Sequence, residues 1–132
     1  MPEILAILGC IVASMALGYL WYSNWLFGQS WAKLTGLSEA DLKKQRAGVN
    51  YLIMMVAVLL EALVLSVIFS FVQVENLTES LKIGFLMWSG FIVTTHLSNS
   101  LFGKVPLKLF LINTGFHLVA ILAMSVILTI WR

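Results

Sequence analysis

Four long apolar runs alternate with polar stretches along the chain. The runs cover residues 4–27, 51–72, 83–102 and 107–131, and each meets the length of roughly 20 residues that a helix needs to cross a bilayer. None alternates apolar and polar residues as a barrel strand must, and backbone groups in hydrocarbon have to be hydrogen-bonded internally. The pattern therefore predicts an all-α, polytopic membrane protein with four transmembrane helices in a single domain, residues 1–132.

The polar stretch at residues 28–50 is the longest of the connections. Trp31 lies in a short segment, residues 29–35, that we expect to form a helix at the membrane interface, where tryptophan prefers to lie. Gly36 should end that helix, and one more polar turn is expected before the second span. The tryptophans near the ends of the apolar runs fit aromatic belts at the two interfaces; they are Trp21, Trp25, Trp31 and Trp131.

The distribution of basic residues predicts the orientation of the chain. Six of the eight lysines and arginines lie in or beside the first and third connections: Lys33, Lys43, Lys44, Arg46, Lys104 and Lys108. Since cytoplasmic loops carry the excess of Lys and Arg, residues 28–50 and 103–106 are predicted to be cytoplasmic, with both termini outside the plasma (inner) membrane. We interpret the N-terminal run as a retained helix rather than a signal peptide, because Glu3 precedes it without any Lys or Arg.

Composition agrees with a lipid environment. Of the 132 residues, 61% are hydrophobic and 11% charged, whereas soluble domains carry about 25% charged residues. The net charge of +2 comes from a few loop residues and gives no reason to expect a nucleic-acid partner. The single cysteine, Cys10, excludes a disulfide within the chain. The expected partner is the lipid bilayer.

A short similarity links the ends of the first and third runs. Residues 23–28 read Ser-Asn-Trp-Leu-Phe-Gly and residues 98–103 read Ser-Asn-Ser-Leu-Phe-Gly. Two interpretations are open. One is a pair of helical hairpins related by a pseudo-two-fold axis along the membrane normal, and the other is coincidence in a sequence of biased composition.

The large polar side chains inside the predicted spans lie in the cytoplasmic half of the bilayer or at its middle. At 1.5 Å rise per residue, Glu61 and His117 both lie about 15 Å from the cytoplasmic end of their helices. His96 and Asn113 lie about 9 Å deep by the same measure. The candidate polar cavity or binding site therefore consists of Glu61, His117, His96, Asn113, Asn99, Asn24 and Tyr22.

Each of these residue types has a functional and a structural interpretation. Glu61 is interpreted first as a proton- or cation-binding group, since a carboxylate at mid-bilayer is expensive and usually faces a cavity or a partner. The alternative is a protonated or histidine-paired group that fixes helix register or a dimer contact. His96 and His117 could relay protons, bond between helices, or join Glu61 as ligands of zinc or ferrous iron. The depth difference of roughly 6 Å between His96 and the other two is awkward for one ion. The asparagines are typical of hydrogen bonds between membrane helices.

Two motifs resemble those of a small bacterial membrane-protein family known only as a domain of unknown function. The first is Trp21-Tyr22-Ser23 followed by Phe27-Gly28 and Trp31, and the second is Asn113-x-Gly115-aromatic-His117 in the last helix. Asn24 departs from the pattern, because proline is expected after the Trp-Tyr-Ser triplet. The resemblance spans the whole chain and implies a four-helix membrane fold, without supplying an activity, a substrate or a catalytic residue.

Three functions remain open at this point. The leading hypothesis is a small proton-linked transporter- or channel-like homo-oligomer, with Glu61 as its titratable group. The second is a membrane-embedded metal-binding protein or enzyme that uses Glu61, His96 and His117. The third is a structural or accessory membrane subunit. No cofactor is predicted, and catalysis is disfavoured because the chain lacks a nucleophile–base pair or a glycine-rich phosphate loop.

Overall fold

The computed structural model describes residues 2–23, 25–36, 39–45 and 48–131, and this part of the chain is 88% helical without strands. A π-helical segment, Trp88–Val93, joins two of the α-helices without a break. In chain order the helices are α1 Pro2–Trp21, α2 Gly28–Thr35, α3 Glu39–Gln45, α4 Gly48–Val72, α5 Leu77–Met87, α6 Thr94–Phe102 and α7 Leu107–Ile130. The predicted all-α class is confirmed.

Three of these helices are long and apolar enough to cross a membrane within the described ranges: α1 from Ile4, α4 and α7. The third predicted span, residues 83–102, is not one regular helix. It is divided into α5, the π-helical segment and α6, because six residues at its centre adopt the wider π-helical winding. The length and composition of these three helices are those of a membrane protein.

Helix α7 lies at the centre of the arrangement. It packs along α1 and α5 and also contacts α2, α6 and the π-helical segment. Helix α4 packs mainly along α1 and touches α7 only slightly. A cluster of buried apolar side chains joins α1, α4 and α7; its members include Cys10, Ala62, Phe69 and Met124.

Helix α1 ends at Trp21, well before the predicted end at residue 27. The chain then turns, and the N–H groups of Phe27 and Gly28 donate to the carbonyls of Trp21 (3.0 Å) and Ser23 (2.9 Å). Residues 98–102, by contrast, are helical in α6. The two similar segments therefore do not occupy equivalent positions, so the fold gives no support to a pair of related hairpins.

The other helix boundaries follow from local capping. A helix is present where a short one was expected after the first span, as α2, and Gly36 ends it in the left-handed conformation with φ 69°. Helix α5 starts at Leu77, earlier than the predicted residue 83, because the Asn76 side chain accepts a hydrogen bond from the Glu79 N–H (2.9 Å). The Glu79 carboxylate in turn accepts from the Glu75 N–H (2.9 Å), a pair of bonds that fixes a helix start.

The turn that follows α1 can be tested by a substitution at Gly28. A Cβ at this position would lie 2.5 Å from the Tyr22 carbonyl oxygen and 2.7 Å from that of Ser23, and backbone atoms cannot move aside cheaply. We expect Gly28→Ala to lower the free energy of unfolding by about 1–3 kcal/mol, the usual range for overpacking, as measured by chemical denaturation in detergent micelles. Gly90→Ala is the matched control, because a Cβ there meets nothing within 4 Å. Equal stability of the two variants would contradict the assigned turn.

Candidate functional site

Two tryptophans attach neighbouring elements to the backbone of α7. The indole N–H of Trp21, at the end of α1, donates to the Ile112 carbonyl at 2.9 Å. The indole N–H of Trp88, at the start of the π-helical segment, donates to the Thr114 carbonyl at 2.7 Å. An indole N–H in an apolar environment needs an acceptor, and α7 supplies one on each side.

Tyr22 and Asn113 form a direct hydrogen bond between α7 and the turn after α1. The Tyr22 hydroxyl donates to Asn113 Oδ1 at 2.8 Å. The Tyr22 ring lies 5.6 Å from that of Phe116 and 5.8 Å from that of Trp31, centroid to centroid. The structure thus brings together two of the predicted site residues, and the geometry gives both a role in joining helices.

A second group of predicted site residues lines a cleft between helices: Glu61, His96 and His117. These side chains come from α4, α6 and α7 and line one cleft of about 280 Å³. The two imidazole centroids are 5.2 Å apart, with the ring planes inclined by 50°. The depth estimate from the sequence separated His96 from the other two residues, yet all three line the same cleft. The cleft is therefore shared by three helices that are remote in sequence.

The π-helical segment determines how His96 is presented to the cleft. His96 Nδ1 lies 2.9 Å from the Ile92 carbonyl oxygen, which can only accept, so the proton of this bond is on Nδ1. In a neutral imidazole the other nitrogen, Nε2, is then a hydrogen-bond acceptor. Thr94 and Thr95 donate to backbone carbonyls four residues earlier in the same way.

The Glu61 carboxyl group is incompletely satisfied. Its Oε1 atom is buried and has no hydrogen-bond partner, and the same is true of the Ser14 hydroxyl oxygen. The Cys10 thiol lies close enough to Glu61 for an electrostatic interaction and donates to the Met124 carbonyl at 3.8 Å. An unpartnered buried carboxyl oxygen costs free energy when the group is charged.

Asn99 does not line the cleft. Asn99 is exposed on α6, and its backbone carbonyl accepts from the Gly103 N–H at 2.8 Å. Asn24 lies outside the described residues. Within the described ranges, no group of three or more His, Cys, Asp or Glu side chains could hold a metal ion, so the three-ligand set considered for zinc or iron finds no support.

Sequence reasoning missed the tryptophan bonds and the π-helical winding. Trp21 was expected in an interfacial belt, yet its indole N–H points at a neighbouring helix. The available signal was the closeness of Trp21 and Trp88 to the interior of predicted spans, where an indole N–H must find a partner in the protein. No signal in the sequence marked residues 88–93 as π-helical.

The two sequence motifs meet in space. Trp21 lies against Gly115, where an added Cβ would come within 3.2 Å of its ring, and Tyr22 bonds to Asn113. Apolar helices of membrane-spanning length, joined by these polar and aromatic contacts, define the class as a helical membrane protein. The chain belongs to the family described as "Protein of unknown function (DUF1761)", whose model matches residues 5–129. No curated protein and no solved structure matches the chain.

The Tyr22–Asn113 bond can be tested by a double-mutant cycle. We expect Tyr22→Phe and Asn113→Leu to show a coupling free energy of about 0.6 kcal/mol, the average for polar bonds between membrane helices, measured from unfolding in detergent micelles. Tyr19→Phe is the matched control, since Tyr19 is 81% exposed and should not couple with Asn113→Leu. Additive effects of Tyr22→Phe and Asn113→Leu would show that the hydroxyl does not stabilise the bundle.

Proposed function

We propose that this protein is a small proton-linked transporter- or channel-like membrane protein, with Glu61 as the group that takes up and releases the proton. The observation that carries the proposal is the convergence of Glu61, His96 and His117 in one cleft. Three separate helices contribute these side chains. A relative movement of the helices would therefore change the surroundings of Glu61.

The chemistry of the cleft favours proton exchange at Glu61 over a purely structural role for this residue. A carboxylate in the membrane interior is costly unless a proton, a cation or a partner compensates its charge. Glu61 Oε1 has no hydrogen-bond partner, so the protein itself provides only part of that compensation. The ring centroids of His96 and His117 are 5.2 Å apart, and imidazole nitrogens can both donate and accept hydrogen bonds.

The proposal includes four membrane spans. The segments α5, Trp88–Val93 and α6 follow one another without a loop from Leu77 to Phe102, which is enough to cross a hydrocarbon core of roughly 30 Å at about 1.5 Å per residue. The bias of lysine and arginine supports a cytoplasmic position for residues 28–50 and 103–106, with both termini outside the plasma membrane.

We extend the proposal to a homo-oligomer. Helix α4 packs mainly along α1, and much of its remaining surface is exposed and apolar, as at Leu52, Leu60 and Phe71. Four short helices enclose little volume, so a second copy would help to complete a pathway around the cleft.

An accessory membrane subunit is the second candidate. The hydrogen bonds of Trp21, Trp88 and Tyr22 to α7 favour it, because they join helices without involving the cleft. It differs from the first candidate in predicting no flux that depends on Glu61.

Proton flux through Glu61 can be measured in proteoliposomes loaded with a pH-sensitive dye. We expect an imposed pH gradient to collapse faster with the wild-type protein than in empty vesicles, and Glu61→Gln to return the rate to that of empty vesicles, because an amide cannot carry the proton. Glu75→Gln, which removes a carboxylate from an exposed connection, should keep the wild-type rate. Equal flux in the wild type and Glu61→Gln would remove Glu61 from the mechanism.

The α5–α6 span can be tested by labelling with a membrane-impermeant maleimide. In a Cys10→Ala background, we expect Glu75→Cys to react in intact cells and Lys104→Cys to react only after permeabilisation, since these positions lie at opposite ends of the continuous helical stretch. Lys43→Cys should behave like Lys104→Cys. Reaction of Glu75→Cys and Lys104→Cys from the same side would contradict the fourth span.

A further inference from the structure

We infer that Thr94 and Thr95 are positioning residues, whose side-chain hydrogen bonds hold the π-helical winding that turns His96 into the cleft. The inference rests on the proposed function, because it concerns the same cleft, and it adds the residues that control where one of the two imidazoles lies. Its basis is the way in which the continuous helical stretch from Leu77 to Phe102 runs along α7.

Three residues of this stretch face α7. Gly84 packs so closely on α7 that an added Cβ would lie 2.5 Å from a serine hydroxyl oxygen of that helix. The Trp88 indole N–H donates to a backbone carbonyl of α7. The His96 ring has its centroid 5.2 Å from that of His117, also in α7. One side of the stretch therefore follows α7 from before the π-helical segment to after it.

A regular α-helix would not keep these three residues on one side. Successive residues of an α-helix are rotated by about 100°, since 3.6 residues complete a turn. Trp88 follows Gly84 by four residues, close to one turn, but His96 follows Trp88 by eight residues and would point about 80° away from it. An i→i+5 bond encloses one residue more than the bond of an α-helix, and taking up one residue in this way reduces the difference to about 20°. The π-helical segment therefore brings His96 back to the side of α7.

Side chains that follow the segment bond to its carbonyls. The Thr94 hydroxyl donates to the Gly90 carbonyl at 2.8 Å. The Thr95 hydroxyl donates to the Phe91 carbonyl at 2.6 Å, and His96 Nδ1 donates to the carbonyl after that, at 2.9 Å. In an α-helix these carbonyls would accept from the backbone N–H groups of the same three residues. The side chains thus satisfy carbonyls that lose their usual donors when the backbone bonds reach five residues back instead of four.

Packing against other helices does little to impose the winding. None of the residues of Trp88–Val93 is buried, and a Cβ added at Gly90 would meet nothing within 4 Å. Thr94 and Thr95 are exposed as well, so replacing them leaves the buried core intact. Because local bonds hold the π-helical winding, we expect the segment to become α-helical when the two hydroxyl groups are removed.

The two imidazoles can be observed directly, because His96 and His117 are the two histidines of the sequence. Isotope-labelled histidine is incorporated into the full chain, and through-space correlations between the rings are recorded by solid-state NMR in lipid vesicles. We expect a ring-to-ring cross-peak in the wild type and its loss in the double variant Thr94→Val/Thr95→Val, since valine keeps the shape and removes the donor. Thr129→Val is the matched control and should keep the cross-peak, because it removes a hydroxyl that donates to a carbonyl four residues earlier at 2.8 Å within α7.

Deletion of Gly90 distinguishes a change of winding from local damage to the helix. The deletion removes one residue from the segment, so a regular α-helix would direct His96 to within about 20° of Trp88. We therefore expect the deletion to restore the cross-peak when it is combined with Thr94→Val/Thr95→Val. Damage unrelated to the winding would not be repaired by shortening the chain.

The outcomes separate this inference from the proposed function. A cross-peak that persists in the double variant, or that the deletion does not restore, would overturn the positioning role whatever the proton flux. Absence of the cross-peak in the wild type would overturn it as well. Loss and restoration of the cross-peak in a protein whose flux does not depend on Glu61 would support the positioning role and overturn the proton pathway.

Discussion

Polar groups inside a bilayer have to find their partners within the protein, and in this chain α7 is the helix that provides them. Its backbone carbonyls at Ile112 and Thr114 accept from Trp21 and Trp88, and its Asn113 side chain accepts from Tyr22. These bonds hold the end of α1 and the start of the π-helical segment on opposite sides of one helix. The position of α7 at the centre of the bundle follows from them together with apolar packing.

The bonds to α7 do not include α4, and the cleft lies beside this less tightly packed helix. Helix α4 lies mainly along α1 and touches α7 only slightly, so it does not close the space beside α6 and the π-helical segment. Glu61 faces this space together with His96 and His117, and one of its carboxyl oxygens has no partner. At the end of α1 the polar groups of Trp21 and Tyr22 bond to α7, whereas Ser14 Oγ and Glu61 Oε1 are buried without a partner. That difference separates the joining residues from the candidate site.

The C-terminal motif, residues 113–117, contributes both to the contact with α1 and to the lining of the cleft. Within residues 113–117 of α7, Gly115 contacts Trp21 at the end of α1 and Asn113 bonds to Tyr22 just after it, whereas His117 lines the cleft. Phe116 lies between them, with its ring centroid 5.6 Å from that of Tyr22 and 5.2 Å from that of His117. One aromatic side chain thus contacts both the end of α1 and a residue that lines the cleft. The motif residues are close in sequence because one stretch of α7 contacts the end of α1 and also lines the cleft.

Apolar length and composition by themselves determined that the chain is helical and suited to a membrane, because hydrocarbon admits few other structures. The same pattern marked Glu61, His96 and His117, since ionisable side chains stand out against apolar runs. Tertiary structure alone decided which of the polar residues meet, because the pairing depends on helix rotation and on the π-helical residues near His96. It placed Asn113 with Tyr22 and left Asn99 exposed, although the sequence assigned all of them to one site. Depth along a helix can be counted from the sequence, but the direction in which a side chain points is fixed only when the helices pack.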